Sequence, residues 1–238
     1  KPTSAKPSNI YKCCDSHSSK YDELVGKYFK VIAVHKHPKS EENEEIYGSK
    51  FFLELKEKVS GDKVFYLYDS KYSSTFSNFI VVGYFVKLKN ANLNREFIVR
   101  GRNWIDNNTM KDINTGDSVS FAAGSKWKVV DLTIEEKYFS LSFILENELG
   151  ERIPMGVDRA NGNNWVFDLT EAEKYLKKFG AKDWETIVKG KISVGFTEEM
   201  AILSWGEPSK INRSSYQDQW VYSGQYLYFK NGILKSWN

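Results

Sequence analysis

The sequence predicts an α+β fold that is mostly β: two small antiparallel β modules, then a helix-helix-three-stranded-sheet domain of two layers. Three observations carry this. Before residue 165, short runs rich in β-branched and aromatic residues are punctuated by turn residues. After Asn161-Gly-Asn-Asn164 the apolar spacing becomes helical. Strands joined by Ser223-Gly224 and Lys230-Asn-Gly232 turns then close the chain. The 238 residues divide into a flexible leader (1–22), a first β module with its linker (23–113), a second β module (114–164) and an α+β domain (165–238).

Residues 1–22 are polar, dominated by Ser, Lys and Asp, as expected of a flexible leader. The opening Lys1-Pro-Thr-Ser-Ala-Lys-Pro-Ser8 reads as the start of a mature or trimmed secreted protein whose signal or lipid anchor has been removed. Gly26 to Val34 is dense in strand formers. The segment from His35 to Glu45 is highly charged, contains Pro38 and predicts a loop. Lys50–Lys58 and Lys63–Asp69 flank a Ser60-Gly-Asp62 turn and predict a hairpin. Phe79-Ile-Val-Val-Gly-Tyr-Phe-Val86 is the longest apolar run; it predicts a strand, being too short for the ~20 residues of a membrane-spanning helix. Asn90–Asn94 predicts a turn, Arg95–Arg100 a short strand, and 103–117 a polar, turn-rich segment.

A similar order then returns. Gly124–Leu132 matches Gly26–Val34 at an offset of 98, and Leu141–Glu146 with Glu151–Asp158 matches Phe52–Glu57 with Asp62–Asp69 at an offset of 89. A nine-residue deletion between the blocks accounts for the difference. The pattern suggests a duplicated β module, although two unrelated meanders of similar strand composition would look alike. The strand after Gly116-Asp117, followed by Trp127-Lys-Val-Val130, resembles small SH3-like barrels.

Thr170-Glu-Ala-Glu173 has the form of a capping box, and Leu169, Tyr175, Leu176 and Phe179 give a helical stripe ended by Gly180. Asp183–Lys189 predicts a second short helix. Thr197–Trp205 predicts a third, with Thr197 as N-cap, Glu198 and Glu199 at its positive end, and Gly206 and Pro208 as stops. Strands follow at 217–222, 225–229 and 233–237.

Four blocks in this region carry a family resemblance. Ile192-Ser-Val-Gly-Phe-Thr197, Trp205-Gly-Glu-Pro208, Trp220-Val-Tyr222 and Phe229-Lys-Asn-Gly-Ile-Leu234 resemble the SmpA/OmlA (BamE-like) family of small envelope lipoproteins, over about residues 184–238. Phe196 departs from the family's usual Met. The resemblance implies a two-layer α+β fold, a periplasmic or outer-membrane-anchored location, and protein binding without catalysis, as in outer-membrane assembly factors and β-lactamase inhibitor proteins. The phrasing is most like envelope proteins of Bacteroidetes type. The motif residues Gly195, Thr197, Trp205, Gly206, Pro208, Trp220, Tyr222, Asn231 and Gly232 are expected to be structural.

Composition narrows the chemistry. Lys plus Arg is 34 and Asp plus Glu 31, a net charge of +3, which argues against a nucleic-acid binder. All of His17, His35 and His37, with Cys13 and Cys14, lie in the first 37 residues, so a Ser-His or Cys-His pair could use only that edge. Adjacent cysteines and a His-x-His pair do not fit zinc-ligand spacing. Gly-rich phosphate loops and nucleophile elbows are missing from the sequence. The neighbouring carboxylates Glu135-Glu136 and Glu198-Glu199 point apart on a strand or helix. We therefore expect no enzyme activity, no catalytic residue, no metal and no cofactor.

Aromatic residues make up 15% of the chain, and Tyr66, Tyr68, Tyr72 and Phe76, close to Phe79, are the candidate binding patch. The expected function is protein–protein interaction or scaffolding in the bacterial cell envelope, with another envelope protein as partner. A cell-wall glycan-binding module is the alternative, and a β-lactamase-inhibitor-like binder the second. No nucleic-acid partner and no transmembrane segment are expected.

Overall fold

The structure is a computed structural model that describes residues 10–12, 24–71, 79–101, 109–135, 140–162 and 165–238. The described residues are mixed α and β, with strands predominating and every sheet antiparallel. The chain forms two compact units, Lys1–Tyr84 and Phe85–Asn238.

In the first unit, β1 (Ile10–Lys12), β2 (Phe29–Lys36), β3 (Lys50–Glu57) and β4 (Lys63–Asp69) form a sheet in the order β1-β4-β3-β2. The hairpin at residues 50–69 thus forms where the sequence predicts it. Strand β1 lies inside the expected leader: Ile10, Tyr11 and Lys12 pair with Tyr66, Phe65 and Val64 and occupy the outer edge of β4. A short helix, α1 (Glu44–Tyr47), interrupts the charged loop, capped by Asn43, whose Oδ1 accepts the Ile46 N–H. Leu53, Leu55, Val64 and Tyr66 are the buried core, and Phe79 packs edge-on against Phe29 and Tyr66 at 5.6 and 5.5 Å.

Where the apolar run predicts a strand the chain forms a helix, α2 (Val82–Asn92), whose residues from Phe85 on belong to the second unit. Its β-branched residues Val82 and Val86 are exposed, while Phe85 and Leu88, three apart, pack on the core. That i, i+3 spacing and the core beneath it override strand propensity. Strands β5 (Glu96–Val99), β8 (Lys126–Glu135), β9 (Ser140–Glu146), β10 (Arg152–Gly156) and β11 (Val166–Asp168) form one sheet in the order β10-β9-β8-β5-β11. A ribbon of β6 (Thr109–Lys111) and β7 (Ser118–Ser120) adds Val119 to its core, and α3 (Val157–Asn161) adds Ala160.

Helices α4 (Leu169–Phe179), α5 (Ala181–Val188) and α6 (Glu198–Trp205) follow. Their buried residues pack with Trp220, Leu227, Phe229 and Leu234 of a sheet ordered β12 (Lys210–Asn212), β13 (Asp218–Tyr222), β14 (Gln225–Lys230), β15 (Ile233–Trp237). Sequence reading finds three of these strands; β12 is too short and exposed to carry a pattern. The first cap also differs. Asp168, not Thr170, is the N-cap of α4, accepting the Thr170 N–H at 3.0 Å from an extended backbone at the end of β11.

Alternation along β5 and β11 joins the two cores of this unit. Phe97, Val99 and Val166 enter the five-stranded sheet's core, whereas Ile98 and Phe167 enter the helical one. Strands from both sides of residues 114–164 therefore complete one sheet, which crosses the expected boundary at 164/165. Arg100 fastens the corner: it is buried, its guanidinium lies 4.4 Å from the Phe167 ring, and it donates to the Leu203 carbonyl.

The meanders β2-β3-β4 and β8-β9-β10 are built alike. Both pair strand one with strand two across a bulge, between Val31 and Ala33 in one and Val129 and Asp131 in the other, an offset of 98 for both residues. Val31 pairs with Leu55 and Val34 with Leu53, as Val129 pairs with Leu145 and Leu132 with Phe143. The buried residues Leu53, Leu55, Val64 and Tyr66 correspond to buried Phe143, Leu145, Ile153 and Met155. The preceding turns match as well, with Lys27 N–H donating to Leu24 and Ser125 N–H to Ala122, each beside a left-handed glycine, Gly26 or Gly124. The middle strands align at 90, not 89, because the second hairpin is one residue shorter: Glu57 donates its N–H to Asp62, Asn147 to Glu151. In each hairpin the turn is closed by a side chain, Glu57 accepting the Val59 and Ser60 N–H groups and Asn147 those of Leu149 and Glu151.

Candidate functional site

The two meanders differ in what covers their first strand. In the second unit, β5 lies along the outer edge of β8, with Glu96, Phe97 and Ile98 opposite Lys128, Trp127 and Lys126. Val129 and Leu132 are 1% and 4% exposed. At the matching positions of β2, Val31 and Val34 are 51% and 61% exposed. No strand among the described residues pairs with the outer edge of β2. Tyr28 and Ile32 are also exposed, and Lys27, Lys30 and Lys36 make the same edge basic. An open strand edge carrying apolar side chains is a template for another strand. It is the candidate site.

Of the sequence-predicted aromatic patch, Tyr66 and Tyr68 lie among the described residues. Tyr66 is 2% exposed and belongs to the core, so its ring is not an accessible anchor. Tyr68 is half-buried against that core, and Tyr72 and Phe76 lie outside the described residues. Phe79 holds the core together through Phe29 and Tyr66. What sequence reading missed was the strand beside it. Its signal was the repeat itself: Val31 and Val34 align with core positions of the second copy, and no strand among the described residues pairs with them on their outer side.

Cys13, Cys14 and His17 lie outside the described residues. His35 and His37 do not converge. His35 Nε2 contacts Glu54 at 3.0 Å, and Lys63 reaches the same carboxylate at 2.7 Å. These two partners hold Glu54 below the usual carboxylate range, Lys63 first. His37 stacks on Tyr47 at 4.4 Å and on Phe52 at 5.4 Å; desolvation, with Lys50 and Lys39 nearby, lowers its pKa. Its neutral ring is a packing surface. Among the described residues no three His, Cys, Asp or Glu side chains gather at metal-binding distance.

Other charged groups brace the fold. Asp112 accepts N–H groups from Arg152 at 2.7 Å, Thr115 at 3.0 Å and Asn114 at 2.7 Å, which hold its pKa low. Burial would raise Asp168, but Arg95 at 2.8 Å and the Thr170 N–H outweigh it. A depression of about 150 Å³ beside β5 is lined by Glu96, Lys126, Lys128 and Glu146 with Trp127; in it Lys126 meets Glu96 at 3.1 Å, and Glu146 meets Arg152 at 2.7 Å. It is smaller than the ~300–1,000 Å³ of ordinary small-molecule sites.

Several motif residues of the C-terminal part hold its elements together. Thr197 Oγ1 accepts the Met200 N–H at 3.3 Å. The Trp205 indole donates to the Gly190 carbonyl at 3.0 Å and meets Tyr222 edge-on at 5.4 Å. Tyr222 Oη donates to the Gly206 carbonyl at 2.8 Å; burial, then Glu207, pushes its pKa well above the ordinary value, so the hydroxyl stays a donor. Gly195, Gly206 and Gly232 have positive φ, as does Asn231, and Trp220 is buried against Phe229 at 4.6 Å. Pro208 follows the helix stop at Gly206.

Comparison with protein-family models, curated proteins and solved structures returned no match. No helix among the described residues is long and apolar enough to cross a membrane.

Proposed function

We propose that this chain is a non-catalytic protein-binding or scaffolding component of the bacterial cell envelope, periplasmic or anchored at the outer membrane. In this reading its C-terminal part is a SmpA/OmlA-like module and its meanders are SH3-like units. The observation that carries protein binding is the open edge of β2, with Val31 and Val34 half or more exposed where the equivalent residues of β8 are buried. The envelope assignment rests on the resemblance of the blocks from Ile192 to Leu234.

Photo-crosslinking in cells from a benzoyl-phenylalanine at position 34 tests the reading, with the same probe at exposed Leu149 as control. Discrete adducts with an envelope protein are expected from position 34 and not from 149. Absence of adducts, or adducts with cytosolic proteins alone, would overturn it. A glycan-binding reading is favoured by one observation, the exposure of Tyr216, Tyr226 and Trp237 in the C-terminal part. It predicts a change in tryptophan fluorescence on adding cell-wall fragments, lost in Trp237→Ala.

A further inference from the structure

From the way the chain completes its own second meander, we infer that the open edge of β2 binds an extended, acidic–apolar peptide segment of the partner by antiparallel strand addition. This rests on the protein-binding reading and specifies its ligand. β5 is the internal template. Around its pairs with β8, the Val129 N–H donates to Arg95, Asn94 donates to the Val129 carbonyl, Val99 N–H donates to Ser125, and Gly124 donates to Val99. Subtracting the offset of 98 from 129, 125 and 124 turns the matching groups of Val31, Lys27 and Gly26 outward. The Lys58 N–H bond to the Tyr28 carbonyl agrees, since it points the alternate residue inward toward β3.

The side chains specify the occupant. Glu96 sits opposite Lys128, the position of Lys30, and bonds Lys126, the position of Tyr28, at 3.1 Å, so a carboxylate at this register of the incoming strand would face the exposed Lys30 across the pair. Phe97 sits opposite Trp127, which corresponds to Phe29, so an aromatic residue follows the acid. Lys27 and Lys36 at the two ends extend the preference for negative charge. A second copy of β2 is a poorer fit, because antiparallel self-pairing centred on Ala33 brings Lys30 directly opposite Lys36. Like charges in cross-strand positions destabilise.

The test uses the full chain and a fluorescent peptide with the sequence of residues 94–101 carrying Arg95→Glu and Arg100→Glu. Fluorescence anisotropy should show saturable binding, weakening as salt rises. Val31→Pro removes one outward N–H, a change that edge strands tolerate, and should weaken binding about tenfold or more. Lys30→Glu, at an exposed position, should weaken it about two- to fivefold, and a peptide with Lys in place of its Glu at position 96 should recover that loss. Circular dichroism establishes that both variants remain folded. No saturable binding, or binding equal in both variants, overturns the inference. So does a concentration-dependent dimer abolished by Val31→Pro, which assigns the edge to a second copy. If cellular adducts from position 34 persist in Val31→Pro, protein binding stands and strand addition fails; if no adducts form at all, the protein-binding reading itself fails.

Discussion

Asp112 shows how much a single buried carboxylate organises. It closes its own turn through Asn114 and Thr115 and ties that turn to β10 through the Arg152 N–H. Those donors lower its pKa, so it binds protons more weakly folded than unfolded. Its stabilisation is therefore full above the unfolded value near ~3.9 and is lost as pH falls through the lower folded value. Asp112→Asn should lower the urea midpoint at pH 7, and the gap to the parent should narrow steadily below about pH 4. Gly101 answers to sterics instead. A Cβ there would meet the carbonyl carbon and oxygen of Lys189 at 2.7 Å, while its N–H donates to Val188 at 2.6 Å. Gly101→Ala should cost about 1–3 kcal/mol in chemical denaturation. Neither residue was legible as special in the sequence, because both owe their roles to segments far along the chain.

At the scale of elements, the repeat offers its own control. Val31 and Val34 occupy the positions of Val129 and Leu132, in the same register and on the same side of the same bulge. Lysine at 31 or 34 should change stability by no more than about 0.5 kcal/mol, whereas lysine at 129 or 132 should cost about 3 kcal/mol or more. Thermal melts of the four variants check this; equal losses at both pairs would mean that β2 is covered. The hairpin at 50–69, the cap at Thr197 and the Asn231-Gly232 turn were readable because each depends on neighbours in sequence. The run at 79–86 was not. Its Val-rich composition fits a strand, and only the core contacts of Phe85 and Leu88 select a helix.

For the whole molecule, the division falls at Tyr84/Phe85, and the second unit holds two cores that share β5 and β11. Residues 85–238 expressed alone should therefore unfold as one cooperative transition. A fragment of residues 165–238 should not fold cooperatively, because it lacks Ile98, Arg100 and the strand that pairs with Val166–Asp168. Calorimetry of the two fragments distinguishes these cases, and a stable 165–238 would show that β5 is dispensable. Among the described residues the first unit has a core of four buried side chains, so it should be the less stable when each unit is expressed alone.

Sequence alone determined the local grammar of this protein: strands from β-branched and aromatic runs, helix ends from Thr197, Gly180 and Gly206, hairpins from Gly turns, and the echo of one meander in the next. These follow from backbone sterics and side-chain periodicity, which act within a few residues. Tertiary structure decided which edges are covered. Whether Val31 or Val129 meets solvent depends on whether a strand such as β5 is at hand, and that strand lies outside the repeat. Long-range pairing thus separates a core position from a binding edge, although the two are written in nearly the same residues.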